Sequence, residues 1–352
     1  MSNSSAASTT SWNNLPWYIT YISQGLLFGG GNWLIAVCIL RYEALRSTKE
    51  YFIIMAVSIA DAIQMTASVI GGTYRTWLLF TGRNNQLATP WECAIRPYNL
   101  LWSFSNMMSN TNLVAMSVDR LLCVSMPLAY IGWSRSYIWC LVGVAYLYPL
   151  CTGLPGFLLT YKTRNNTPSL QPMCLTPHAL SPEYTHWLYS YHYSFAPPSF
   201  GFVSVVLYAL VYVVFRFKNN AVSPEGADTA EQLHVQRKVT VTLGISCLCT
   251  VLFYVVPFTL AQVCSSLGLK APFSIPLMFF ALSNFNPMCN VFIYPLRHEE
   301  MRWALNGLAT CKQMPSDIRQ WKANANAKAV ASSQQKGTGS SQKARDVRLE
   351  SV

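Results

Sequence analysis

Seven mainly apolar stretches, separated by shorter polar segments, alternate along the chain. Each has about 20 residues or more, which is enough for a helix to cross a hydrocarbon core of about 30 Å. The pattern predicts an all-α membrane protein, a bundle of seven transmembrane helices that we call spans one to seven. They run near Trp17 to Leu40, Tyr51 to Gly72, Ile95 to Cys123, Tyr137 to Tyr161, Leu188 to Phe217, Val239 to Leu267 and Phe273 to Pro295.

Span three is the least apolar of these stretches, because NLLWSFSNMMSNTNLVAM is rich in Asn and Ser. Polar side chains inside a membrane span are costly unless they face the interior of the bundle. We therefore expect the Asn and Ser side chains of span three to face a polar interior.

A further helix is predicted after span seven. In HEEMRWALNGLATC, apolar residues recur at helical spacing with charges between them, which favours a short amphipathic helix on the membrane surface. The predicted organisation is an outer N-terminal segment (1–16), the seven-helix domain (17–296), the surface helix (297–311) and a disordered cytoplasmic tail (312–352). Cys311 is a candidate for palmitoylation, with a free thiol as the alternative.

Charge sets the expected orientation. The chain is 52% hydrophobic and 11% charged, and most basic residues flank one side of the predicted spans or lie in the tail. The positive-inside rule then puts the N-terminus outside the plasma membrane and the tail in the cytoplasm. The sequons at Asn3 and Asn165 both fall outside, as glycosylation sites would. The net charge of +11 needs no nucleic acid as a partner, because anionic lipid attracts it.

Most cysteines lie within spans, where a thiol is a small apolar group. Cys93, before span three, and Cys174, in the loop after span four, lie in the oxidising exterior, and we expect a disulfide between them. Cys264, near the outer end of span six, is an alternative partner that the sequence leaves open.

Asp61 is an acid in the middle of span two, where an ionisable residue is expensive and points to function. With polar residues of other spans it could form a cation site of hard oxygen ligands, or a structural hydrogen-bond network between helices. The residues able to meet it are Asn32, Ser105, Ser109, Asn286 and Asn290.

An acid and an arginine end span three side by side. Asp119 can hold Arg120 as an ion pair, and release of that pair would free the arginine to face a partner. Taken by itself, the dipeptide is equally typical of an ordinary flanking charge pair.

Together these motifs resemble the rhodopsin-like (class A) family of G-protein-coupled receptors over about Trp17 to Cys311. The matching residues are Gly31 and Asn32 in GNWLI, Asp61 in SIAD, Cys93, Asp119 and Arg120 in DRL, Pro127, Leu128, Trp139, Pro149, Pro198, Pro257 and Tyr294 in NVFIY. The resemblance implies a sodium site at Asp61, Ser109, Asn286 and Asn290. It also implies that the switch and the G-protein contact lie at Asp119, Arg120, Pro127, Leu128 and Tyr294.

The sequence departs from the family pattern at several places. Val255 replaces the span-six tryptophan, so Tyr254 or Phe258 would take its part. No tyrosine stands at the expected distance after Pro198. In span seven Val291 replaces the usual proline, and Pro287 lies one turn earlier, so we expect the kink there, with Asn286 and Asn290 both facing Asp61.

The residues at the family's ligand-facing positions are Trp102, Phe258, Gln262, Phe280 and Asn284. This set is aromatic and nearly uncharged. Trp102 replaces the acid that an amine receptor needs, and Asn284 replaces the lysine of an opsin. An apolar or peptide ligand remains, unless the aromatics are only packing and interfacial residues.

The leading hypothesis is a receptor that passes an extracellular signal to a heterotrimeric G protein, with no cofactor beyond a sodium ion at Asp61. The alternative from another class is an ion or solute transporter that uses Asp61 as a relay. An enzyme is not expected, because the sequence holds no metal cluster, nucleophile elbow or phosphate loop.

Overall fold

The computed structural model describes residues 12–83, 86–164, 168, 170, 174, 196–221, 241, 244–267 and 274–310. Four of the described helices are long and apolar enough to cross a membrane: Leu15–Arg41, Lys49–Phe80, Arg135–Thr163 and Ser199–Phe217. The polar span three and the interrupted spans six and seven complete the bundle.

Span one comprises the helix Leu15–Gln24, a π-helical turn at Gly25–Gly29 and the helix Gly30–Arg41. It packs closely along span two, Lys49–Phe80. A Cβ added at Gly25 would lie 2.6 Å from the carbonyl oxygen of Met65, a backbone atom that cannot move aside. Glycine is therefore required for this approach. Span two continues about two turns beyond its predicted end at Gly72.

Span three, Pro97–Ser125, packs against spans two, four and five. Its Asn and Ser side chains are buried, as predicted, at Ser103, Ser105, Asn106, Ser109, Asn110 and Asn112. Spans four and five are the helices Arg135–Arg164 and Ala196–Ala221. The predicted start of span five, residues 188–195, lies outside the described residues.

Spans six and seven are both interrupted. Span six has a π-helical turn at Val251–Val255, followed by the helix Val256–Ser266. Span seven consists of Ser274–Ser283 and Phe285–Arg297, which meet at Asn284. The interruption lies within one turn before Pro287, whose ring clashes with the carbonyl four residues back and whose nitrogen cannot donate to it. The expected kink is therefore present.

The helix Glu299–Ala309 follows span seven, as the amphipathic pattern predicts. Met301 and Ala304 are fully buried in a core cluster that includes residues of spans one and two. Tyr51 of span two donates a hydrogen bond to Glu300 over 3.1 Å, and its ring meets that of His298 at 5.6 Å. These contacts fix the helix to one end of the bundle, which we call the Arg120 end.

The opposite end carries the disulfide between Cys93 and Cys174, which confirms the predicted pairing. Thr89 and Glu92 form a reciprocal capping box that starts the helix Pro90–Ala94 and positions Cys93. The Asn99 amide donates to the Cys93 carbonyl over 2.7 Å. We call this the disulfide end.

Candidate functional site

Asp61 lies fully buried midway along span two. Its Oδ1 accepts a hydrogen bond from Ser109 Oγ of span three at 2.9 Å, and its Oδ2 accepts one from Asn290 Nδ2 of span seven at 2.8 Å. Within the described residues it forms no ion pair with a Lys, Arg or His. A buried carboxylate is thus held by neutral donors alone.

Span six extends this arrangement through two hydroxyl groups. Ser246 Oγ donates to Asn290 Oδ1 over 2.6 Å, and Thr250 Oγ1 donates to Asn286 Oδ1 over 2.8 Å. Both hydroxyl residues are buried. Sequence reasoning missed them, although two hydroxyls four positions apart in an apolar span share one helix face. We call the joined set the central network: Asp61, Ser109, Ser246, Thr250, Asn286 and Asn290.

The prediction that both span-seven asparagines face Asp61 is wrong for Asn286. Asn290 bonds Asp61 directly, whereas Asn286 bonds Thr250. Residues four apart on a helix are about 6 Å apart along its axis. Asn286 therefore lies one level nearer the disulfide end, where span six and not span two supplies its partner.

Asn32 and Ser105, also considered for the Asp61 site, bond elsewhere. Asn32 Nδ2 donates to the carbonyl oxygens of Phe28, at 3.0 Å, and Pro287, at 3.2 Å. Ser105 Oγ donates to the Trp102 carbonyl over 3.3 Å. Asn32 therefore joins span one to the interrupted part of span seven.

Asp119 and Arg120, at the inner end of span three, are both buried. The guanidinium Nε donates to Asp119 Oδ2 over 3.0 Å, and one terminal nitrogen of Arg120 bonds the same oxygen. That nitrogen also lies 3.8 Å from Glu50 Oε1 at the start of span two. The predicted ion pair is present, with a second carboxylate nearby.

Tyr130, on the helix Pro127–Gly132 after span three, bridges this pair. Its hydroxyl donates to Asp119 Oδ1 over 3.0 Å and accepts from Arg120 over 3.3 Å. Burial raises the pKa of the Tyr130 hydroxyl, with Arg120 opposing and Asp119 adding to the shift, so it stays a protonated donor. The Lys49 ammonium donates to the Tyr130 carbonyl over 2.8 Å. We call Lys49, Glu50, Asp119, Arg120 and Tyr130 the Arg120 network.

Two further tyrosines lie in the same core cluster. Tyr294 of span seven is fully buried, and Tyr208 of span five is 8% exposed. Tyr208 is close enough to Arg120 to interact with it electrostatically. The sequence search after Pro198 overlooked Tyr208, because it lies beyond the distance at which the family pattern expects a tyrosine.

At the disulfide end, aromatic side chains of spans one, three and seven meet. Phe280 lies 5.5 Å from Trp102 and 4.9 Å from Tyr21, ring centre to ring centre. Asn284 Nδ2 donates to Gln24 Oε1 of span one over 3.2 Å. Three residues predicted to face a ligand thus come together, and span one joins them through residues that the sequence analysis did not select.

Arg75 overturns the expectation of a nearly uncharged site. This residue of span two is only 8% exposed. Its guanidinium donates to the Cys174 carbonyl over 3.3 Å and lies 5.2 Å from the centre of the Tyr98 ring. It also acts electrostatically on Tyr18 and Tyr21. The missed signal was an arginine in TYRTW, read as a flanking charge rather than as part of the span.

The residue that could replace the missing span-six tryptophan is Tyr254. It lies in the π-helical turn, is buried, and its hydroxyl is within hydrogen-bonding reach of Asn106 and Asn110 of span three. Val255, at the tryptophan position, packs so tightly on span five that a Cβ at Gly201 would lie 2.4 Å from it. The competing candidate, Phe258, has a side chain outside the described part of the structure.

Comparison with known families decides the class of the protein. The model of the family described as serpentine type 7TM GPCR chemoreceptor Srsx matches residues 27–308, from span one into the helix after span seven. The chain belongs to this receptor family. Among curated proteins, none matches the chain.

The receptor is accordingly a multi-pass membrane protein and not an enzyme, as the sequence analysis predicted. The family match agrees with the seven-helix bundle and with the resemblance to G-protein-coupled receptors. It covers every span that contributes to the central and Arg120 networks.

Several predicted site residues of the receptor are not covered by the structural description. Pro127 and Leu128 begin the helix Pro127–Gly132, but nothing is described of their side chains. The same holds for the side chains of Phe258 and Gln262. Asn3, Asn165 and Cys311, predicted to be modified, lie outside the described residues altogether.

The residues around Asp61 fit a sodium ion in their chemistry. The Asp61 carboxylate and the Ser109 hydroxyl are hard oxygen ligands, which alkali and alkaline-earth cations prefer. The carboxylate is fully buried and has only neutral donors among the described residues, so a cation would offset the cost of its charge. Asn290 instead presents its amide nitrogen, because Ser246 occupies its oxygen.

Proposed function

We propose that this receptor binds an extracellular ligand at the disulfide end and passes the signal to a heterotrimeric G protein at the Arg120 end. The Arg120 network carries the proposal. A buried arginine held by Asp119, Tyr130 and Glu50 is stable only while these partners stay in place. A change in helix arrangement that removes one of them would turn the guanidinium toward a cytoplasmic partner.

The aromatic group of Tyr21, Trp102 and Phe280 supports an apolar or aromatic ligand, or an aromatic side chain of a peptide. Two buried polar atoms there have no partner among the described residues: Trp102 Nε1, a donor, and Asn284 Oδ1, an acceptor. They could orient a ligand that carries one acceptor and one donor. The positive charge of Arg75 disfavours amines and favours a neutral or anionic polar group.

The central network lies between the two ends and supports a route for the signal. It joins spans two and three to spans six and seven through neutral hydrogen bonds, each worth only about 1 kcal/mol. Such bonds can be exchanged at low cost when a ligand shifts span six or seven. If a sodium ion binds, Asp61 and Ser109 would hold it, and its charge would stabilise the arrangement in which the carboxylate stays buried.

G-protein dissociation in cells, measured against panels of volatile, lipid, acidic and peptide compounds, tests the proposal. The Arg120→Ala variant should lose every response seen with the wild type. Arg302→Ala is the matched control, because Arg302 is an exposed arginine of the helix after span seven, at the same end of the bundle. Compound-dependent uptake or current that persists without any G-protein signal would contradict the proposal and favour a transporter.

A further inference from the structure

Spans six and seven pair in an antiparallel register along one shared face. Ser246 meets Asn290, Thr250 meets Asn286, and the Phe253 ring lies 5.7 Å from that of Phe285. Each step of three or four residues along span six is matched by an equal step backward along span seven. The register therefore predicts which residues meet between these contacts.

Cys249 and Cys289 occupy that intermediate position. Cys249 directly precedes Thr250, and Cys289 directly precedes Asn290, so the register sets the two side chains opposite each other. Their thiols are in hydrogen-bonding contact. Both are free cysteines and both are partly exposed, whereas Cys247 on the same span is buried. A small oxidant could therefore reach this dithiol.

We propose that Cys249 and Cys289 form a modification site, a dithiol that a peroxide oxidises to a disulfide joining span six to span seven. One thiol sulfur attacks a peroxide oxygen and the O–O bond breaks, which gives a sulfenic acid and releases water or an alcohol. The second thiol attacks the sulfenic sulfur, the S–O bond breaks, and the S–S bond forms with loss of water. The sulfur atoms lose two electrons in total and the peroxide gains them.

The location gives this bond a mechanical consequence. The cysteine pair lies between the two polar contacts of the central network that join spans six and seven, directly before the π-helical turn Val251–Val255. π-Helical turns are common at functional sites in helices. A covalent link at this level would prevent span six from separating from span seven. Its effect on signalling rests on the proposed function, whereas the oxidation itself does not.

The chemical test uses the purified full-length receptor treated with hydrogen peroxide, alkylated, digested and analysed by mass spectrometry. A cross-linked peptide containing Cys249 and Cys289, lighter by two hydrogens than the two reduced peptides, is expected and should disappear on reduction. Cys289→Ser should abolish it, and Cys151→Ser, which removes an exposed cysteine of span four, should leave it unchanged. Sulfenic acid at either cysteine without the cross-link would overturn the proposal.

The mechanical test needs no ligand. Oxidation should slow hydrogen–deuterium exchange in peptides from span six of the wild type, but not in Cys289→Ser. A cross-link that forms without slowing exchange would overturn the lock. If the cross-link forms and exchange slows, yet no compound dissociates a G protein in any redox state, the proposed function fails while this inference stands.

Discussion

The central network and the Arg120 network handle buried charge in opposite ways. Asp61 is a lone carboxylate whose bonded partners, Ser109 and Asn290, are neutral. Arg120 is held by an opposite charge beside it on the same helix, with Glu50 as a second one. The first network leaves a charge for a mobile cation to neutralise. The second is neutralised by the chain itself.

The networks also differ in the helices that they join. The central network includes spans six and seven through Ser246, Thr250, Asn286 and Asn290. The described contacts of the Arg120 network stay within spans two and three and the helix Pro127–Gly132. Movement of span six would therefore break weak neutral bonds first. The ion pair at Arg120 would hold until the helix arrangement around it changes.

Breaking the charge balance at the Arg120 end should have the largest effect. Asp119→Ala leaves Arg120 buried with only the more distant Glu50 as an opposite charge. Removing one partner of a buried pair typically costs ~3–5 kcal/mol. The melting temperature of the purified receptor should fall strongly. An unchanged melting temperature would show that the pair contributes nothing to the folded state.

The next effect concerns the tyrosine that bridges this pair. Tyr130→Phe removes the hydroxyl that bonds both Asp119 and Arg120, and hydrogen bonds to charged groups are worth ~1.5–3 kcal/mol. We expect lower thermal stability together with higher ligand-independent G-protein dissociation, because Arg120 is less restrained. Tyr212→Phe, at an exposed tyrosine of span five, is the control and should change neither quantity.

The sequence predicted the architecture because hydrophobic length and polar periodicity are local properties. Seven apolar stretches, the buried polar face of span three, the interruption before Pro287 and the final helix could each be inferred from neighbouring residues. The disulfide was predictable because membrane topology places Cys93 and Cys174 in one oxidising compartment.

The site was predictable only where a single residue violated the local pattern, as Asp61 does in span two. Ser246, Thr250 and Tyr130 are ordinary residues in their own segments, and only packing between helices brings them to Asn290, Asn286 and Asp119. The orientation of Asn286 failed for the same reason. A stripe on one helix shows which residues face inward but not which neighbouring helix each one meets.

Loosening the central network should have a smaller effect on stability. Thr250→Val preserves the shape of the side chain but removes the donor to Asn286, which leaves a buried acceptor at a cost of ~1–3 kcal/mol. Because this bond joins spans six and seven, basal signalling should rise. Thr152→Val is the control, since Thr152 bonds only within span four. Equal effects of the two variants would contradict the assigned role.

An ion-dependent difference should separate the two networks more finely. If sodium binds at Asp61, a concentration ten times its Kd would stabilise the receptor by about 1.4 kcal/mol. Melting in sodium chloride and in choline chloride, at matched ionic strength, measures this difference. Asp61→Asn should abolish it, whereas Tyr130→Phe should preserve it. A sodium effect that survives Asp61→Asn would place the ion elsewhere.

The smallest effect is expected where an ion pair is exposed rather than buried. Arg302 lies 3.7 Å from Glu299 on the final helix, and both side chains are more than half exposed. Water screens such a pair, so Glu299→Gln should cost no more than ~0–1 kcal/mol. The comparison with Asp119→Ala isolates burial, because both changes remove one carboxylate from an arginine at the same end of the bundle. Similar losses in the two variants would show that the environment of Arg120 is hydrated, and that its release needs less rearrangement than the buried network implies.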